Sequence, residues 1–398
     1  MKFNINKIFR SSVLVVAAIA LLTSCNKDVE DAELITIAPS TGQSISELVN
    51  TDASFTILKA AVTRAGANIS SLLADRTGVF TFFAPTDAAF IASGIPNAAT
   101  VSAMPAAQVE SILRYHIVGG QMITSAQIPT TFPNLQLPTQ LVLAAPSASL
   151  PPGLRMSIFP SKRGTSFWAN NIPLTQMDIM VANGVVHKTA LLVAPPTQFL
   201  WNRIDTDPNL TYLKAAIQRA DSGSTAATSL QGALLNPAAN LTVFAPNNVA
   251  FQAVLTGLIT QALIAQGMPP ATAAATATLL ASSPAVFSNP ALYPYLTATT
   301  VKGIAVYHLL GNRAFSVNIP TTATATPTLL NSAIPIHPGV SIQATFGATG
   351  VTSATVKGLV NPTPSNILIN PTPAPGGTSD QHYINGALHV IDQVLRPQ

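Results

Sequence analysis

The sequence predicts an α+β fold that occurs twice along the chain. Two observations carry this prediction. Five short segments of the first half recur in the same order in the second half. Within each half, helical apolar spacing comes first and short alternating runs typical of strands come later. At roughly 160 to 200 residues, each copy has the size of an ordinary domain.

The repeat is clearest in FTFFAPTDAAF, residues 80–90, which matches LTVFAPNNVAF, residues 241–251. Four further pairs keep the same apolar and turn residues. They are NTDASFTILKAAVTRAG (50–66) with DTDPNLTYLKAAIQRAD (205–221), RYHIVGG (114–120) with VYHLLGN (306–312), QIPTT (127–131) with NIPTT (318–322), and ANGVVHKTALLVAPP (182–196) with INGALHVIDQVLRP (384–397). Five matches in one order indicate a duplicated domain.

Each segment of the first copy also indicates its own local structure. In FTILKAAVTRAG five apolar positions share one helical stripe, and Gly66 ends the helix. VFTFFAPTD predicts a buried strand that enters a turn. LQLPTQLVLAAPSASL and GLRMSIF show the short alternations of strands. GVVHKTALLVAP follows an Asn-Gly turn and predicts a closing strand pair.

The first 24 residues have the proportions of a secretory signal peptide. Three basic residues precede an apolar run over 11–22, which at about 12 residues is shorter than a membrane span of roughly 20. LTSC, at 22–25, resembles the bacterial lipobox, and Cys25 is the single cysteine of the chain. The resemblance implies that Cys25 is lipidated and anchors the protein, because several acyl chains at one residue hold stably to a bilayer. We expect this anchor to be the only contact with the membrane.

The composition argues against one class of partner. Of 19 basic and 15 acidic residues, three basic ones lie in the leader, so the rest of the chain is nearly neutral. Charged residues make up only 9 % of the chain, well below the usual quarter. Without a cluster of Lys and Arg, nucleic acid is not expected as a partner. A surface of this kind relies on hydrogen bonds and shape, which suits an extracellular protein.

The predicted boundaries follow from the leader and the duplication. They are a signal peptide over 1–24, the lipidated cysteine and its tether over 25–41, a first domain over 42–196 and a second domain over 197–398. The distance between matching segments widens along the chain, which predicts an insertion in the second domain near 259–300. The short connection predicts that the two domains touch.

The motifs TFFAPTDAAF, YHIVGG and NGVVHKTALLVAP, in this order, resemble the fasciclin domain family. TVFAPNNVAF, YHLLGN and NGALHVIDQVLRP repeat the resemblance in the second copy. The resemblance implies two tandem domains, each a wedge or sandwich of β-strands packed with several α-helices. It also implies roles in extracellular adhesion and matrix binding. The Ala/Thr-rich insertion and a Pro/Gly loop of the second copy depart from the family pattern.

Asp87 has a chemical and a structural interpretation. Its carboxylate is suited to general acid/base work or to a metal, and equally to capping the helix that follows Pro85. The second copy places Asn248 after Pro246 at the matching position. Asn can cap a helix but cannot act as a general base. The replacement of Asp by Asn between the two copies therefore favours a structural role for Pro85, Asp87, Pro246 and Asn248.

The histidines of the repeats also favour structural roles. His116 and His308 lack the partners of a metal or catalytic set, so each is predicted to be a buried neutral imidazole that bonds the backbone at a helix end. His187 and His389 are predicted to lie on a strand after the Asn-Gly turn. The fasciclin resemblance adds a functional alternative for the Tyr-His pairs and makes four residues candidates for partner binding: Tyr115, His116, Tyr307 and His308.

Phe167 and Trp168 are the remaining candidates for a binding surface. They stand beside Arg163, Asn170 and Asn171. Aromatic rings next to amides and Arg can stack on sugars or dock on proteins, whereas the alternative is that Trp168 packs inside the domain.

The expected function is binding without catalysis. The sequence has no GxSxG elbow, no phosphate-binding glycine loop and no Cys/His cluster, so no enzyme activity, cofactor or metal is expected. We expect a lipid-anchored protein that binds an extracellular protein or polysaccharide in adhesion or matrix attachment. The residues after Cys25 resemble the tethers of surface-exposed bacterial lipoproteins, which implies the outer membrane and its outer face. The alternative is an accessory glycan-binding component of a nutrient-uptake system, which an exposed Trp168 would favour.

Overall fold

The computed structural model describes residues 41–145, 153–347, 350–370 and 376–398. The predicted signal peptide, Cys25 and the tether up to residue 40 lie outside the described residues. The chain from Thr41 to Gln398 forms one unit that contains both sequence repeats.

Among the described residues of the first domain there are six α-helices and eight strands. The helices are α1 (Ile45–Thr51), α2 (Thr56–Ala65), α3 (Ala67–Ala74), α4 (Asp87–Ala92), α5 (Ala98–Ala103) and α6 (Ala106–Tyr115). The strands are β1 (Phe80–Pro85), β2 (Ile117–Gly119), β3 (Leu137–Ala144), β4 (Leu154–Ile158), β5 (Pro160–Arg163), β6 (Ser166–Ala169), β7 (Ile172–Val181) and β8 (Gly184–Thr189). The helix predicted from FTILKAAVTRAG is α2, which ends at Gly66 with a φ of 89°. Positive φ at this position is what Gly tolerates best.

The strands of the first domain form one sheet in the order β4-β3-β2-β1-β8-β7-β6-β5. Its centre is the parallel pair of β1 and β8, and the closing pair of β7 and β8 is antiparallel across the Asn183-Gly184 turn. Gly184 has a φ of 146°, and a Cβ there would lie 1.9 Å from the carbonyl oxygen of Phe80. The turn therefore requires Gly both for its backbone angle and for the close approach of β1.

Among the described residues of the second domain there are six α-helices and eight strands. The helices are α7 (Leu200–Thr206), α8 (Thr211–Ala220), α9 (Leu230–Leu235), α10 (Asn248–Ala265), α11 (Pro270–Leu280) and α12 (Ala298–Tyr307). The strands are β9 (Leu241–Pro246), β10 (Leu309–Leu310), β11 (Thr324–Thr326), β12 (Val340–Gly347), β13 (Gly350–Lys357), β14 (Ser365–Ile367), β15 (Gln381–Tyr383) and β16 (Gly386–Ile391). The sheet order is β10-β9-β16-β14-β13-β12-β11, and β15 pairs with β16.

The centres of the two sheets are equivalent residue by residue. In the first domain Phe80 pairs with Gly184 and Phe83 with His187. In the second domain Leu241 pairs with Gly386 and Phe244 with His389, again between parallel strands. The predicted α+β fold and its duplication are confirmed by these registers.

Each central strand is apolar throughout because both of its faces are buried. Phe82 of β1 packs into a cluster formed largely by helices, whereas Phe83 faces a second cluster formed largely by strands. In the second domain Val243 and Phe244 divide in the same way. The helices therefore cover one face of each central strand pair and the outer strands cover the other.

The extra residues of the second domain form a pair of packed helices. The 18-residue α10 continues well past the point where its six-residue counterpart α4 stops. Gln266–Pro269 connect it to α11, against which it packs. Two short 3₁₀ helices, Pro284–Ser288 and Pro290–Leu292, complete the predicted insertion.

Candidate functional site

Asp87 caps a helix, but not the one predicted. It is the first residue of α4, and the N-cap of that helix is Thr86, whose Oγ1 accepts from the amide of Ala89 at 3.2 Å. The Asp87 carboxylate instead reaches the start of α2, where Oδ1 accepts from the amide of Ile57 at 2.7 Å and Oδ2 from that of Thr56 at 3.2 Å. The expectation that Asp87 caps its own helix was wrong, because the turn directs its side chain across to a neighbouring helix.

Asn248 makes the same cross-helix cap in the second domain. Its Oδ1 accepts from the amide of Tyr212 and the hydroxyl of Thr211 at the start of α8, both at 3.2 Å. Its Nδ2 donates to the carbonyl oxygen of Pro208 at 2.8 Å. Pro85 and Pro246 end β1 and β9 and are buried. Asp87 and Asn248 make the shared cap with a side-chain oxygen that accepts hydrogen bonds. This contact does not need the side chain to take up or release a proton.

His116 and His308 are buried at the ends of helices and bond only to backbone groups. His116 Nδ1 donates to the carbonyl of Ile112 at 2.8 Å, and its Nε2 accepts from the amide of Val193 at 3.1 Å. His308 repeats both bonds, to Ile304 and from Leu395, each at 2.8 Å. Only a neutral ring can donate at one nitrogen and accept at the other. Burial accordingly lowers the pKa of each imidazole to about 4.

The two tyrosines that precede these histidines are also buried. Tyr115 Oη donates to the carbonyl of Ser157 at 3.0 Å, and burial raises the pKa of its hydroxyl to about 12. Tyr307 Oη donates to the carbonyl of Gly339 at 2.6 Å. All four side chains of the Tyr-His pairs are at most 2 % exposed. The expectation that they offer a partner-binding surface is therefore not met in this structure, because helix and sheet close over them.

His187 and His389 join the central strand to the loop that follows the second strand of each domain. His187 Nε2 donates to the carbonyl of Ile123 at 2.8 Å, and its Nδ1 accepts from the amide of Asp178 at 3.1 Å. His389 makes the equivalent bonds with Ala314 and Asp380 at 2.9 and 3.3 Å. Both histidines tie two segments together, as a structural role requires.

Trp168 packs in the protein interior and not on the surface. It is 8 % exposed and clusters with Phe159 of its own domain and with Phe315 and Val317 of the second domain. Phe167 is half-buried, with the Lys162 ammonium 5.2 Å from its ring centroid. Of the two interpretations of Trp168, the buried one agrees with the structure, and residues of both domains cover the ring. As a candidate for partner binding, Trp168 is therefore not available on the surface.

The predicted contact between the domains is extensive at the end of the first sheet. The ring centroids of Phe159 and Phe315 are 6.3 Å apart. Arg163 Nη2 donates to the carbonyl of Ile319 at 2.7 Å, and its guanidinium lies 3.8 Å from the ring centroid of Phe346. Arg163 of the first domain therefore contacts the second domain in two ways, by a hydrogen bond and by a cation–π interaction.

Arg313 is the functional candidate that sequence reasoning missed. It is buried between the domains, and its Nε donates to Asn240 Oδ1 at 3.0 Å. Its Nη1 donates to His382 Nε2 at 2.7 Å, and its guanidinium lies 4.7 Å from the ring centroid of Phe159. Burial lowers the pKa of Arg313 to about 10. No local pattern in the segment around Arg313 indicates burial, since the covering residues come from distant parts of the chain.

The second domain also exposes an uncharged helical face. No Asp, Glu, Lys, Arg or His occurs over residues 222–301. On α10 and α11, Leu258 is 51 % exposed and Leu279 is 75 % exposed. Within the described ranges, α10 is the one helix long and apolar enough to cross a membrane by length and composition. Phe251, Leu255 and Ile259 nevertheless pack into the second-domain core, so one side of α10 belongs to the fold.

Among the residues that the structure describes, no group of three or more His, Cys, Asp or Glu side chains is placed to hold a metal ion.

Residues 53–191 match the family model described as the fasciclin domain. The chain contains a fasciclin domain. The match runs from the turn before α2 to the residues just after β8. The second repeat has the same strand register, cross-helix cap and histidine bonds, so the protein carries two tandem fasciclin domains.

Among solved structures, this chain is similar to a FAS1 domain pair from the insect cell adhesion molecule fasciclin I. The two chains are 15 % identical with a TM-score of 0.32, and the similarity covers 88 % of this chain and 95 % of that chain.

Proposed function

We propose that this protein is a non-catalytic adhesion protein that binds an extracellular protein or polysaccharide. The observation that carries the proposal is that the polar side chains of the repeated motifs already form hydrogen bonds within the fold. In both fasciclin domains Asp87 or Asn248 and the Tyr-His pair are engaged in hydrogen bonds within the fold, and the Tyr-His pairs are buried. The motifs thus build a scaffold, and binding is left to the outer surface.

The outer surface suits recognition by shape and hydrogen bonding. Charged residues are only 9 % of the chain, and residues 222–301 contain none. Interfaces of this kind gain little from electrostatic steering, so association would depend on packing and on hydrogen-bond matching.

We further propose that lipid at Cys25 anchors the protein to the outer membrane and displays it at the cell surface. The proposal rests on the leader of 1–24 and on LTSC at 22–25. An anchored pair of domains would act as a display unit, and attachment of many copies to one cell would add avidity to weak individual contacts.

The buried Trp168 weighs against the alternative role in glycan uptake. That role depended on an exposed aromatic ring for stacking on sugar, and the ring is 8 % exposed. A glycan array with the purified full-length chain tests this alternative directly. Specific glycan binding by the purified chain, without adhesion of the displaying cells to any coated surface, would favour uptake over adhesion.

The test of the adhesion proposal compares cells that display the full-length chain with cells that carry Cys25→Ser. We expect wild-type cells to adhere to surfaces coated with matrix proteins or polysaccharides, and the variant cells to lose adhesion while producing the same amount of protein. Membrane fractionation and labelling with a radioactive fatty acid report the anchor separately. Adhesion that persists with an unlipidated, released protein would contradict the display model.

A second comparison asks whether the Tyr-His pairs act as scaffold. Tyr115→Phe and Tyr307→Phe remove one buried hydroxyl each, so we expect a lower melting temperature and unchanged binding at temperatures where the domains are folded. Leu258→Lys and Leu279→Lys change the uncharged face, and Ile91→Lys on α4 is the matched change in the first domain. The variant that abolishes binding identifies the domain that makes the contact.

A further inference from the structure

Two loops at one end of the second fasciclin domain expose four large apolar side chains. Ile334 and Ile336 lie in the loop before β12 and are 44 % and 94 % exposed. Leu359 and Val360 follow β13 and are 53 % and 43 % exposed. These four residues are termed the apolar tip. Single apolar side chains are common on protein surfaces, whereas a group of them marks a contact site.

Tyr307 joins the two loops of the apolar tip. Its Oη donates to the carbonyl of Gly339 at 2.6 Å and accepts from the amide of Leu359 at 3.0 Å. Gly339 ends the first loop and Leu359 lies at the start of the second, so the hydroxyl of one buried side chain holds both loops. The apolar tip is therefore one surface and not two separate exposures.

His337 holds the first loop in its exposed conformation. Its Nδ1 accepts from the amide of Gly339, and its Nε2 donates to the carbonyl of Pro397, both at 3.0 Å. The carbonyl of His337 accepts from Asn331 Nδ2 at 2.5 Å. A loop fixed in this way presents Ile336 already ordered, so a contact at this residue avoids the entropy that a flexible segment loses on binding.

Two cations border the apolar tip. Lys357 is the last residue of β13, and Arg396 Nη2 donates to the carbonyl of Val360 at 3.1 Å. The ion pairs within the described ranges all involve other residues. The acid closest in sequence to Arg396 is Asp392, whose two oxygens already accept from neighbouring polar groups. An apolar surface bordered by cations matches the boundary between anionic headgroups and acyl chains of a bilayer.

The size of the apolar tip and the position of the proposed anchor both favour a bilayer over a protein as its partner. A stable protein–protein interface buries roughly 800 Å² on each side, which is more than four side chains offer. The predicted tether from Cys25 to Thr41 spans at most about 60 Å. A chain of that reach lets the anchored domains tilt until the apolar tip meets the same membrane.

We propose that the apolar tip inserts into the surface of the bilayer that carries the lipid anchor. Ile336 enters the boundary between headgroups and acyl chains, and Lys357 and Arg396 lie at the level of anionic headgroups. The inference rests on the anchor of the proposed function and goes beyond the expected single membrane contact at Cys25. It also turns one end of the second domain toward the membrane, which leaves the α10–α11 face free for a partner.

The test places an environment-sensitive fluorophore on a single cysteine of the purified full-length chain. Cys25→Ser removes the native cysteine, and Ser332→Cys carries the probe at an exposed position beside the apolar tip. With vesicles of phosphatidylcholine and phosphatidylglycerol, we expect the emission to shift to the blue because the probe leaves water. Thr272→Cys, on the exposed side of α11, is the matched site and should show no shift. Every chain keeps residues 1–24, so binding by the leader is common to all of them.

Ile336→Lys is the decisive variant, because a side chain that is 94 % exposed can change without loss of packing. We expect it to lower the partition coefficient, obtained by titrating the probe at residue 332 with lipid, by about tenfold or more. Ile91→Lys on α4, at a position 55 % exposed, is the control and should leave the coefficient unchanged. Lys357→Gln should lower it about fivefold on vesicles with phosphatidylglycerol and leave it unchanged on phosphatidylcholine alone.

Three results would overturn the proposal. A shift at residue 272 and not at residue 332 would assign the membrane contact to the uncharged face of α11. A shift at residue 332 that grows with protein concentration in the absence of lipid would assign the apolar tip to a second copy of the chain. No shift at residue 332, or one that Ile336→Lys leaves unchanged, would show that the tip stays in water. Fatty-acid labelling at Cys25 is scored separately, so loss of the anchor proposal is distinguishable from loss of this one.

Discussion

The carboxylate of Asp87 shows how one side chain can stabilise a helix that lies 30 residues earlier in the chain. Replacing Asp87 with Ala should lower the free energy of unfolding by about 1 kcal/mol, because two amides at the start of α2 lose their acceptor. Asp87→Asn should cost clearly less, since Asn248 performs the same task in the second domain with its amide oxygen. Urea unfolding at neutral pH measures both variants. Equal losses for Ala and Asn would mean that the charge matters and not the acceptor.

His116 and His308 should make the stability of the protein depend on pH. Their pKa values are lowered by burial to about 4, against about 6.5 in an unfolded chain. The unfolded state therefore binds protons first as the pH falls, and stability is lost from pH 6.5 downward. Each histidine contributes up to about 3 kcal/mol of loss by pH 4. His187 adds in the same direction, because burial also lowers its pKa.

The measurement is the free energy of unfolding between pH 7.5 and pH 5, a range chosen because carboxyl groups titrate below it. We expect little change down to about pH 6.5 and a steady decline below it. His116→Gln removes one of the titrating rings, so it should flatten the decline while lowering stability at pH 7.5. A wild-type stability that stays constant down to pH 5 would show that these histidines are not held neutral.

The two faces of helix α10 should contribute differently to the free energy of unfolding. Leu255 is buried in the second-domain core, whereas Leu258, three residues on, is 51 % exposed. Leu255→Ala should cost about 2 to 5 kcal/mol because it leaves a cavity. Leu258→Ala should change stability by no more than about 0.5 kcal/mol. Urea unfolding of the two variants tests the orientation of the helix, and similar losses in both would show that the outer face is covered.

The elements that could be predicted from sequence are those whose local pattern is compatible with only one structure. The continuous apolar run of β1 implies burial on both faces, and the Asn183-Gly184 turn implies the strand pair that follows it. The packed helices α10 and α11 were less predictable, because their Ala/Thr-rich and uniformly apolar residues mark no single inward stripe. The burial of Trp168 between the domains could not be predicted for a different reason. Trp168 packs against Phe315, which lies far along the chain, and no local spacing reveals such a contact.

The two fasciclin domains should unfold together because their contact is strong. Arg163 makes a hydrogen bond to the Ile319 carbonyl and stacks on Phe346 of the second domain. Arg163→Ala removes both interactions, so we expect the single calorimetric transition of the wild type to separate into two. Lys162→Ala is the control, since Lys162 lies against Phe167 within its own domain. Two transitions in the wild type would mean that the domains are energetically independent. A single transition in Arg163→Ala would mean that the contacts other than those of Arg163 are enough to couple them.

The uncharged stretch of the second domain has a practical consequence for mass spectrometry. Trypsin cleaves after Lys and Arg, so digestion would release everything from Ala220 to Lys302 as a single long peptide. Amine-reactive cross-linkers would likewise find no lysine on α10 or α11. A partner seated on that face would leave no trace in a conventional cross-linking map, and its footprint would have to be read by pepsin digestion after hydrogen exchange.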